Sequence, residues 1–356
     1  MIKNIRRAFH PSFYISEYIE ELQMTQDEFS KRLGITGKQV SLLLSQEANI
    51  TSDIAIKLSK LIGTSVEFWL NLQSKYDAYI AMLADAKVKD EEKNIYKMID
   101  KKFLKQLNII NDTDSIEEGM NKLRIALPIA SLTLFAKNDI YSFYRTSVTK
   151  AEKIENLVCK NVWVSLAFQI AKKENTKPFN EKMLNDNIKN FRKMTLEDPD
   201  IFYPKLKRIL SDCGVALVIL PSLKNSNING VVKWIDSDKV MMALNTRGTY
   251  NDKFWFSFFH ELKHVLQKIK RKMIIGEDTD NVEDELEREA DEFARETLIP
   301  SEKLKLLKTY TTYYIQEFAT QISIHPGIVV GRLQKERKIQ YSCLNNLKEK
   351  YEIVID

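Results

Sequence analysis

The sequence predicts a mainly α protein of 356 residues that carries one small β-sheet in its C-terminal part. Apolar residues recur at helical spacing over most of the chain, whereas runs typical of strands occur only between residues 214 and 244. Ten glycines and eight prolines leave no flexible linker or low-complexity tract. We therefore expect three regions: residues 1–84, five helices; residues 85–195, a helical connecting region; and residues 196–356, an α+β domain with a small antiparallel sheet.

Two short helices separated by a tight turn are predicted in the first region. Thr25 to Glu28 has the pattern of a capping box, which would open a helix that ends at Gly34. A second helix follows from Thr36 to Leu44, and this arrangement is typical of a helix-turn-helix. The apolar positions of the second helix, Val40, Leu43 and Leu44, are expected to pack on the following residues of the neighbouring helices: Phe29, Leu33, Ile54, Leu58 and Leu61.

The outward positions of this motif have side chains that suit a double-stranded DNA operator. Gln26 opens the first helix, and Lys38, Gln39 and Ser41 project from the second; Gln pairs with adenine, Lys with guanine or phosphate, and Ser with either. The same residue types also decorate ordinary helices. Charge adds little support, since residues 1–84 contain as many acidic as basic residues, although Lys31 and Arg32 cluster near the motif, with Arg6 and Arg7 in a candidate arm. A homodimer would double this patch and match a two-fold operator.

The connecting region is expected to begin with an exposed helix. Residues 85–102 are highly charged and have little to bury beyond Ile95, Tyr96 and Met98. Further on, apolar residues recur at helical spacing and indicate core packing rather than a cofactor site: Trp163, Leu166, Ala167 and Ile170.

Three strands are predicted in the last region. Residues 214–221 form a continuous apolar run, typical of a buried strand. Residues 230–235 and 239–244 flank Asp236-Ser237-Asp238 and should form a hairpin. One strand could be an exposed edge that holds an extended substrate by strand addition, or the sheet could have no such role.

A zinc site is predicted at His260-Glu261-Leu262-Lys263-His264, which follows an apolar run from Phe254 to Phe259. Residues at i and i+4 of a helix have Cβ atoms about 5–6 Å apart, so both imidazoles can converge on one Zn²⁺. Glu261 would then act as general base toward a water activated by the metal. The reaction class that this pattern predicts is amide hydrolysis.

The third ligand is expected on a second helix further along the chain. Glu287 and Asp291 are one turn apart and accompany an apolar face, so Glu287 is predicted to bind the metal. Asp291 would accept a hydrogen bond from a ligating histidine and orient it. The segment is rich in acidic residues, and the alternatives for the ligand are Glu283, Glu285 and Glu289.

His325 is a further candidate, for a role in catalysis. It could donate a hydrogen bond to the oxyanion of the tetrahedral intermediate. Alternatively, it is a histidine of a surface loop, because it precedes Pro326-Gly327.

Several classes of protein are disfavoured. Three isolated cysteines indicate neither a disulfide framework nor a cysteine zinc site, so we expect a reducing compartment. No apolar run approaches the length of a membrane span, and the first residues lack the apolar centre of a signal peptide. We expect a cytoplasmic protein without a membrane partner.

Two resemblances extend this interpretation. HELKH followed by EREADEFARETLIP, and residues 326–334, resemble the ImmA/IrrE family of intracellular metallopeptidases from about Leu210 to Gln334. This resemblance implies zinc, a gluzincin-like active site, and protein substrates that are often helix-turn-helix repressors. Lys263 departs from that family, in which glycine is common. Residues 10–79 are similar to HigA-like antitoxins of the Xre class, which implies a lambda-repressor-like domain that binds DNA.

The sequence thus predicts a DNA-binding transcriptional regulator fused to a zinc metallo-endopeptidase. Its protein substrate would be a helix-turn-helix repressor or its own N-terminal domain. The alternative is a HigA-like repressor or antitoxin in which the peptidase fold senses a signal or binds a partner without proteolysis.

Overall fold

The computed structural model describes residues 8–137, 153–245, 250–267 and 279–351, with the backbone alone for 279–284. The candidate arm at Arg6 and Arg7 and the side chain of Glu283 lie outside the described residues. The chain divides into two compact units, Met1–Glu91 and Glu92–Asp356. Helices predominate and the single described sheet is small, so the predicted fold class is confirmed.

The first unit contains the five predicted helices. They are α1 (Ser12–Glu21), α2 (Gln26–Leu33), α3 (Gly37–Leu44), α4 (Ser52–Ile62) and α5 (Val66–Met98), the last of which extends beyond the unit. Thr25, Thr36 and Thr51 cap α2, α3 and α4 through their side-chain oxygens. Gly34 ends α2 in the left-handed conformation at φ 70°, which glycine adopts without strain. The predicted helix-turn-helix is confirmed.

The core of this unit joins all five helices. The predicted packing of α3 is confirmed, because Val40 and Leu43 are buried and Leu44 is partly buried. The fully or partly buried partners are Phe29, Leu33, Ile54, Leu58, Leu61 and Trp69.

The capping pattern differs from the expectation in one detail. Thr25 accepts the N–H of Glu28 at 3.2 Å, but the Glu28 carboxylate pairs with Arg32 instead of returning to the cap. The complete capping box forms at Thr36 and Gln39. Glu28 and Arg32 are four residues apart in α2, a spacing that places both side chains on one face and favours their ion pair.

Helix α5 runs for 33 residues and ends at Met98, so the fifth helix and the exposed helix expected from residue 85 form one continuous helix. Ile95 and Tyr96 are buried as expected. Glu92 is buried as well, which the charge pattern did not indicate: it accepts hydrogen bonds from Arg124 and from the Leu132 N–H at 2.6 Å.

In the first part of the second unit, the described residues form the helices α6 (Lys101–Gln106), α7 (Ile116–Ala126), α8 (Ile154–Lys173), α9 (Glu181–Asp186) and α10 (Ile188–Lys193). Helix α8 is covered on most sides, and Trp163, Leu166 and Ala167 lie in the core as predicted. Ile170 packs on that core from a partly buried position.

The sheet contains β1 (Val215–Leu220), β2 (Gly230–Trp234) and β3 (Val240–Asn245) in the order β1-β3-β2. The predicted hairpin of β2 and β3 is confirmed, with Gly230 opposite Leu244. The expectation of a fully antiparallel sheet is wrong, because β1 pairs with β3 in parallel. Strand β1 is buried on both faces and separates two cores, the environment that parallel strands require.

The remaining helices among the described residues of this unit are α11 (Pro199–Asp212), α12 (Asn251–Leu266), α13 (Thr279–Leu298), α14 (Ser301–Leu304), α15 (Thr312–Gln321) and α16 (Pro326–Lys335). Helix α12 packs against α13, α16 and the β2–β3 hairpin. It is therefore the central helix of this part of the unit. Within the described ranges, no helix has the length and apolarity needed to cross a bilayer.

Candidate metal centre

Helix α12 presents two histidines beside the core. Trp255, Phe258, Phe259 and Leu262 are fully buried and anchor one side of the helix. His260 and His264 lie one turn apart, and their Nε2 atoms are 3.1 Å from each other. Because one side of α12 is held in the core, His260 and His264 stay on the other side, where their rings approach each other.

Glu287 of α13 completes a cluster of three ligand-type side chains. Ala290, Ala294 and Leu298 follow Glu287 at helical spacing and bury the same side of α13. The Glu287 carboxylate places Oε2 3.2 Å from His260 Nε2 and Oε1 3.2 Å from His264 Nε2. All three ligand atoms lie within 4.8 Å of one another. Of the alternatives with described side chains, Glu285 lies 3.8 Å from Arg288, and Glu289 contacts Gln267 and Lys263.

Each histidine is held by a second contact at its other ring nitrogen. His260 Nδ1 lies 2.9 Å from Asp291 Oδ1, and His264 Nδ1 lies 2.9 Å from Gln267 Oε1. The Gln267 amide group donates to the Leu286 carbonyl oxygen at 3.1 Å, so its oxygen must face His264. With a proton on each Nδ1, each Nε2 could offer its lone pair to a metal that Glu287 also binds.

Gln267 was missed by sequence reasoning. Its position three residues after His264, on the same side of the helix, is the signal that could have indicated it.

The charges of the cluster are strongly coupled. Burial lowers the pKa of His260, but hydrogen bonds with Asp291 and Glu287 outweigh it and raise that pKa to about 10. The hydrogen bond with His260, and then the one with His264, hold the pKa of Glu287 far below its usual range. Two imidazole nitrogens and one carboxylate oxygen are a donor set that suits Zn²⁺ and leaves a fourth position for a reactant. The residues present therefore fit the metal that the sequence predicts.

Glu261 lies in a different environment from Glu287. It is 6% exposed, and burial raises its pKa to about 7. Its side chain rests against Gly230, the first residue of β2, where an added Cβ would lie 2.5 Å from Glu261 Cγ. A carboxyl group with a pKa near neutrality can both accept and return a proton.

His325 is not brought together with these residues. Its Nδ1 accepts hydrogen bonds from the Gly327 N–H at 3.0 Å and from Asn251 Nδ2 at 2.6 Å, and it caps α16. Asn251 precedes His260 by nine residues of α12, about 13 Å along the helix axis. His325 serves as a helix cap in this structure.

The DNA-contact candidates are all exposed on α2 and α3: Gln26, Lys38, Gln39 and Ser41. Gln39 Oε1 accepts the N–H of Thr36 at 3.0 Å, so its carbonyl end is engaged in the capping box. Lys31 pairs with Asp27, and Arg32 with Glu28, both at 2.6 Å. Asp27 and Glu28 therefore neutralise the two basic side chains of α2, Lys31 and Arg32, that the sequence predicts to cluster near the motif.

Comparisons with known proteins match the two units separately. A helix-turn-helix family model matches residues 15–69, and the model of the IrrE N-terminal-like domain, peptidase family M78, matches residues 214–334. The chain therefore belongs to the Xre-like helix-turn-helix transcriptional regulators and carries a C-terminal M78 peptidase domain.

Three similar proteins cover the N-terminal part. The uncharacterized HTH-type transcriptional regulator YddM of Escherichia coli (strain K12) is 39% identical over 18% of this chain and 70% of that protein. The uncharacterized regulator YbaQ of the same strain is 35% identical over 18% of this chain and 56% of that protein. The structure of an addiction module antidote protein of a HigA family from Coxiella burnetii is 35% identical, over 24% of this chain and 96% of that protein, with a TM-score of 0.23.

Proposed function

We propose that this protein is a DNA-binding transcriptional regulator whose C-terminal domain is a zinc-dependent endopeptidase. The observation that carries the proposal is the convergence of His260, His264 and Glu287 beside the buried carboxyl of Glu261. His260, His264 and Glu287 would hold the metal, with Asp291 orienting His260. When bound, zinc supplies Lewis-acid polarisation of a carbonyl and lowers the pKa of a coordinated water to about 7.

The chain's own residues supply the proton transfers. Glu261, with a pKa raised to about 7, would take a proton from the attacking water and later deliver it to the leaving amine. Burial raises the pKa of this carboxyl because it removes the group from bulk water. Gly230 leaves the space in which the Glu261 side chain lies.

Strand β2 supports an extended peptide as the substrate. Among the described strands it pairs with β3 alone, so it lies at the edge of the described sheet. Its Gly230 end touches Glu261. A peptide that adds to this edge would run past the general base, which favours a protein substrate held by strand addition.

The helix-turn-helix unit would bind a double-stranded operator through α3. Lys38, Gln39 and Ser41 are exposed there. The Gln39 side chain uses its oxygen in the capping box, and its amide nitrogen takes no part in that hydrogen bond. The relatives of this unit are named transcriptional regulators. A two-fold operator would require two copies of the chain.

The test compares wild type with Glu261→Gln. Both proteins should bind about one zinc per chain, since Glu261 is not a ligand. Cleavage of a helix-turn-helix repressor, or of the protein's own N-terminal unit, should fall at least about 10²-fold in the variant. Glu285→Gln changes an exposed carboxylate two residues before Glu287 and serves as the control. Equal cleavage by wild type and Glu261→Gln would overturn the proposal.

The same assay addresses the second candidate function, a HigA-like repressor or antitoxin without proteolysis. The N-terminal resemblance favours it. Operator binding without any zinc-dependent cleavage, together with a toxin gene beside this one, would support that function instead.

A further inference from the structure

A cavity of about 840 Å³ lies beside the candidate metal centre in the second unit. Its walls come from α12, α13 and α16. It reaches the metal centre at Asp291, whose carboxylate contacts His260, and it reaches the end of the edge strand at Asn229, directly before Gly230. A peptide that passes along β2 and Glu261 would therefore meet this cavity.

The acidic groups that line the cavity are all engaged. Asp252 pairs with Lys348 at 2.7 Å, and Asp291 contacts His260 at 2.9 Å. Glu336 pairs with Arg332 and with Lys338. Each of these side chains has a charged partner, and the second oxygen of Asp252, which has no hydrogen bond, is buried.

Three basic side chains on the wall have no such partner. Lys253, Arg295 and Lys335 line the cavity, and among the described residues none of them forms an ion pair with a carboxylate. Arg295 follows Asp291 by one turn of α13, so the two side chains share a face of the helix and attract each other without forming an ion pair. The cavity is lined by five basic and three acidic side chains, so its charge is positive overall.

The size and the remaining walls suit a stretch of peptide. Ligand cavities of about 300–1,000 Å³ hold groups of several side chains or a small organic molecule. Phe256, Leu298 and Ile328 add apolar surface beside the basic groups. Such a mixture favours a segment that carries carboxylates among otherwise apolar side chains.

We propose that this cavity is a specificity pocket that receives an acidic segment of the protein substrate, next to the bond that is cleaved. The inference rests on the proposed function, because it treats the metal centre as the place of cleavage. Arg295 and Lys335 are specificity-determining residues: they attract the substrate's carboxylates and take no part in bond breaking. The same positive charge would disfavour a basic segment.

The experiment measures binding without turnover. Full-length, zinc-loaded Glu261→Gln protein is titrated into two fluorescein-labelled decapeptides that differ only in three central residues, glutamate in one and glutamine in the other. Fluorescence anisotropy should show about tenfold tighter binding of the glutamate peptide. In the same background, Arg295→Met with Lys335→Met should remove most of that difference.

A matched variant separates the pocket from general charge. Lys303→Met with Lys308→Met removes two exposed positive charges of the same unit that do not line the cavity. It should keep the preference for glutamate. Equal binding of both peptides, or an equal loss of preference in the two double variants, would overturn the proposal, as would full displacement of the peptide by inorganic phosphate alone.

Cleavage is scored separately in wild type. A retained glutamate preference without any cleavage would contradict the proposed peptidase function while leaving the pocket for acidic segments in place. Cleavage of both peptides at equal rates, with equal affinities, would leave the peptidase function and remove the pocket's role.

Discussion

Gln267 and Asp291 act on the metal centre in parallel, each through the ring nitrogen that faces away from Glu287. Asp291 offers a carboxylate oxygen to His260, and Gln267 offers an amide oxygen to His264. The Gln267 side chain is itself held by the Leu286 carbonyl and by Glu289. Its contact therefore links α12 to α13 at the point where the ligands meet.

Replacing Gln267 by Leu should weaken zinc binding about 10–100-fold, because the His264 ring would lose the acceptor that fixes its tautomer and orientation. Competition with a chromophoric chelator measures the affinity. Lys263→Met is the control, since Lys263 contacts Glu289 but neither histidine. Unchanged affinity in Gln267→Leu would contradict the positioning role.

Gly230 is the second residue with a specific role beside the metal centre, because the Glu261 side chain occupies the space that a side chain at position 230 would need. A methyl group there would overlap the Glu261 side chain at 2.5 Å from Cγ. Gly230→Ala should therefore displace the general base and lower cleavage by about 10²-fold, while zinc content stays at the wild-type level. Parallel assays of cleavage rate and metal content test this. Loss of zinc together with activity would point to disruption of the whole centre instead.

At the scale of elements, Arg192 of α10 ties together the ends of two distant helices. Its guanidinium group donates to the Leu298 carbonyl at the end of α13 and to the Ile322 carbonyl at the end of α15. It also donates to Thr297 and Ser323. The last carbonyls of a helix have no partner within the helix, and a positive charge there is favourable.

Arg192→Met should lower the free energy of unfolding of this unit by about 3 kcal/mol, because several half-buried carbonyls lose a charged donor. Urea unfolding measures the change. Lys189→Met alters an exposed charge on the same helix and should change the stability by less than about 0.5 kcal/mol. Similar effects of the two substitutions would contradict the capping role.

For the whole molecule, the division into two units that do not share a core predicts two unfolding events. Phe29, Leu43 and Leu58 belong to the core of the first unit, whereas the metal centre lies on helices of the second. Removal of zinc by a chelator should lower the melting temperature of one calorimetric transition only. Leu58→Ala should destabilise the other by about 2–5 kcal/mol. One transition that moves in both experiments would show that the units unfold together.

Local sequence patterns were sufficient for much of this protein. The helix-turn-helix, the β2–β3 hairpin, and the placing of His260 and His264 on one helical face all depend on spacings of a few residues. Backbone geometry converts such spacings directly into structure, so the sequence by itself determined them. Glu287 belongs here too as a candidate, since its spacing to Asp291 indicated one face of a helix.

Only the tertiary structure decided the rest, because each case is a choice among partners far apart in the chain. The parallel pairing of β1 depends on cores that cover both faces of that strand. The contact of Gly230 with Glu261, the bonds of Arg192 to two helix ends, and the hydrogen bond of Asn251 with His325 join segments separated by dozens of residues. No periodicity encodes these contacts. They follow from packing, which determines the partners that each polar group can reach.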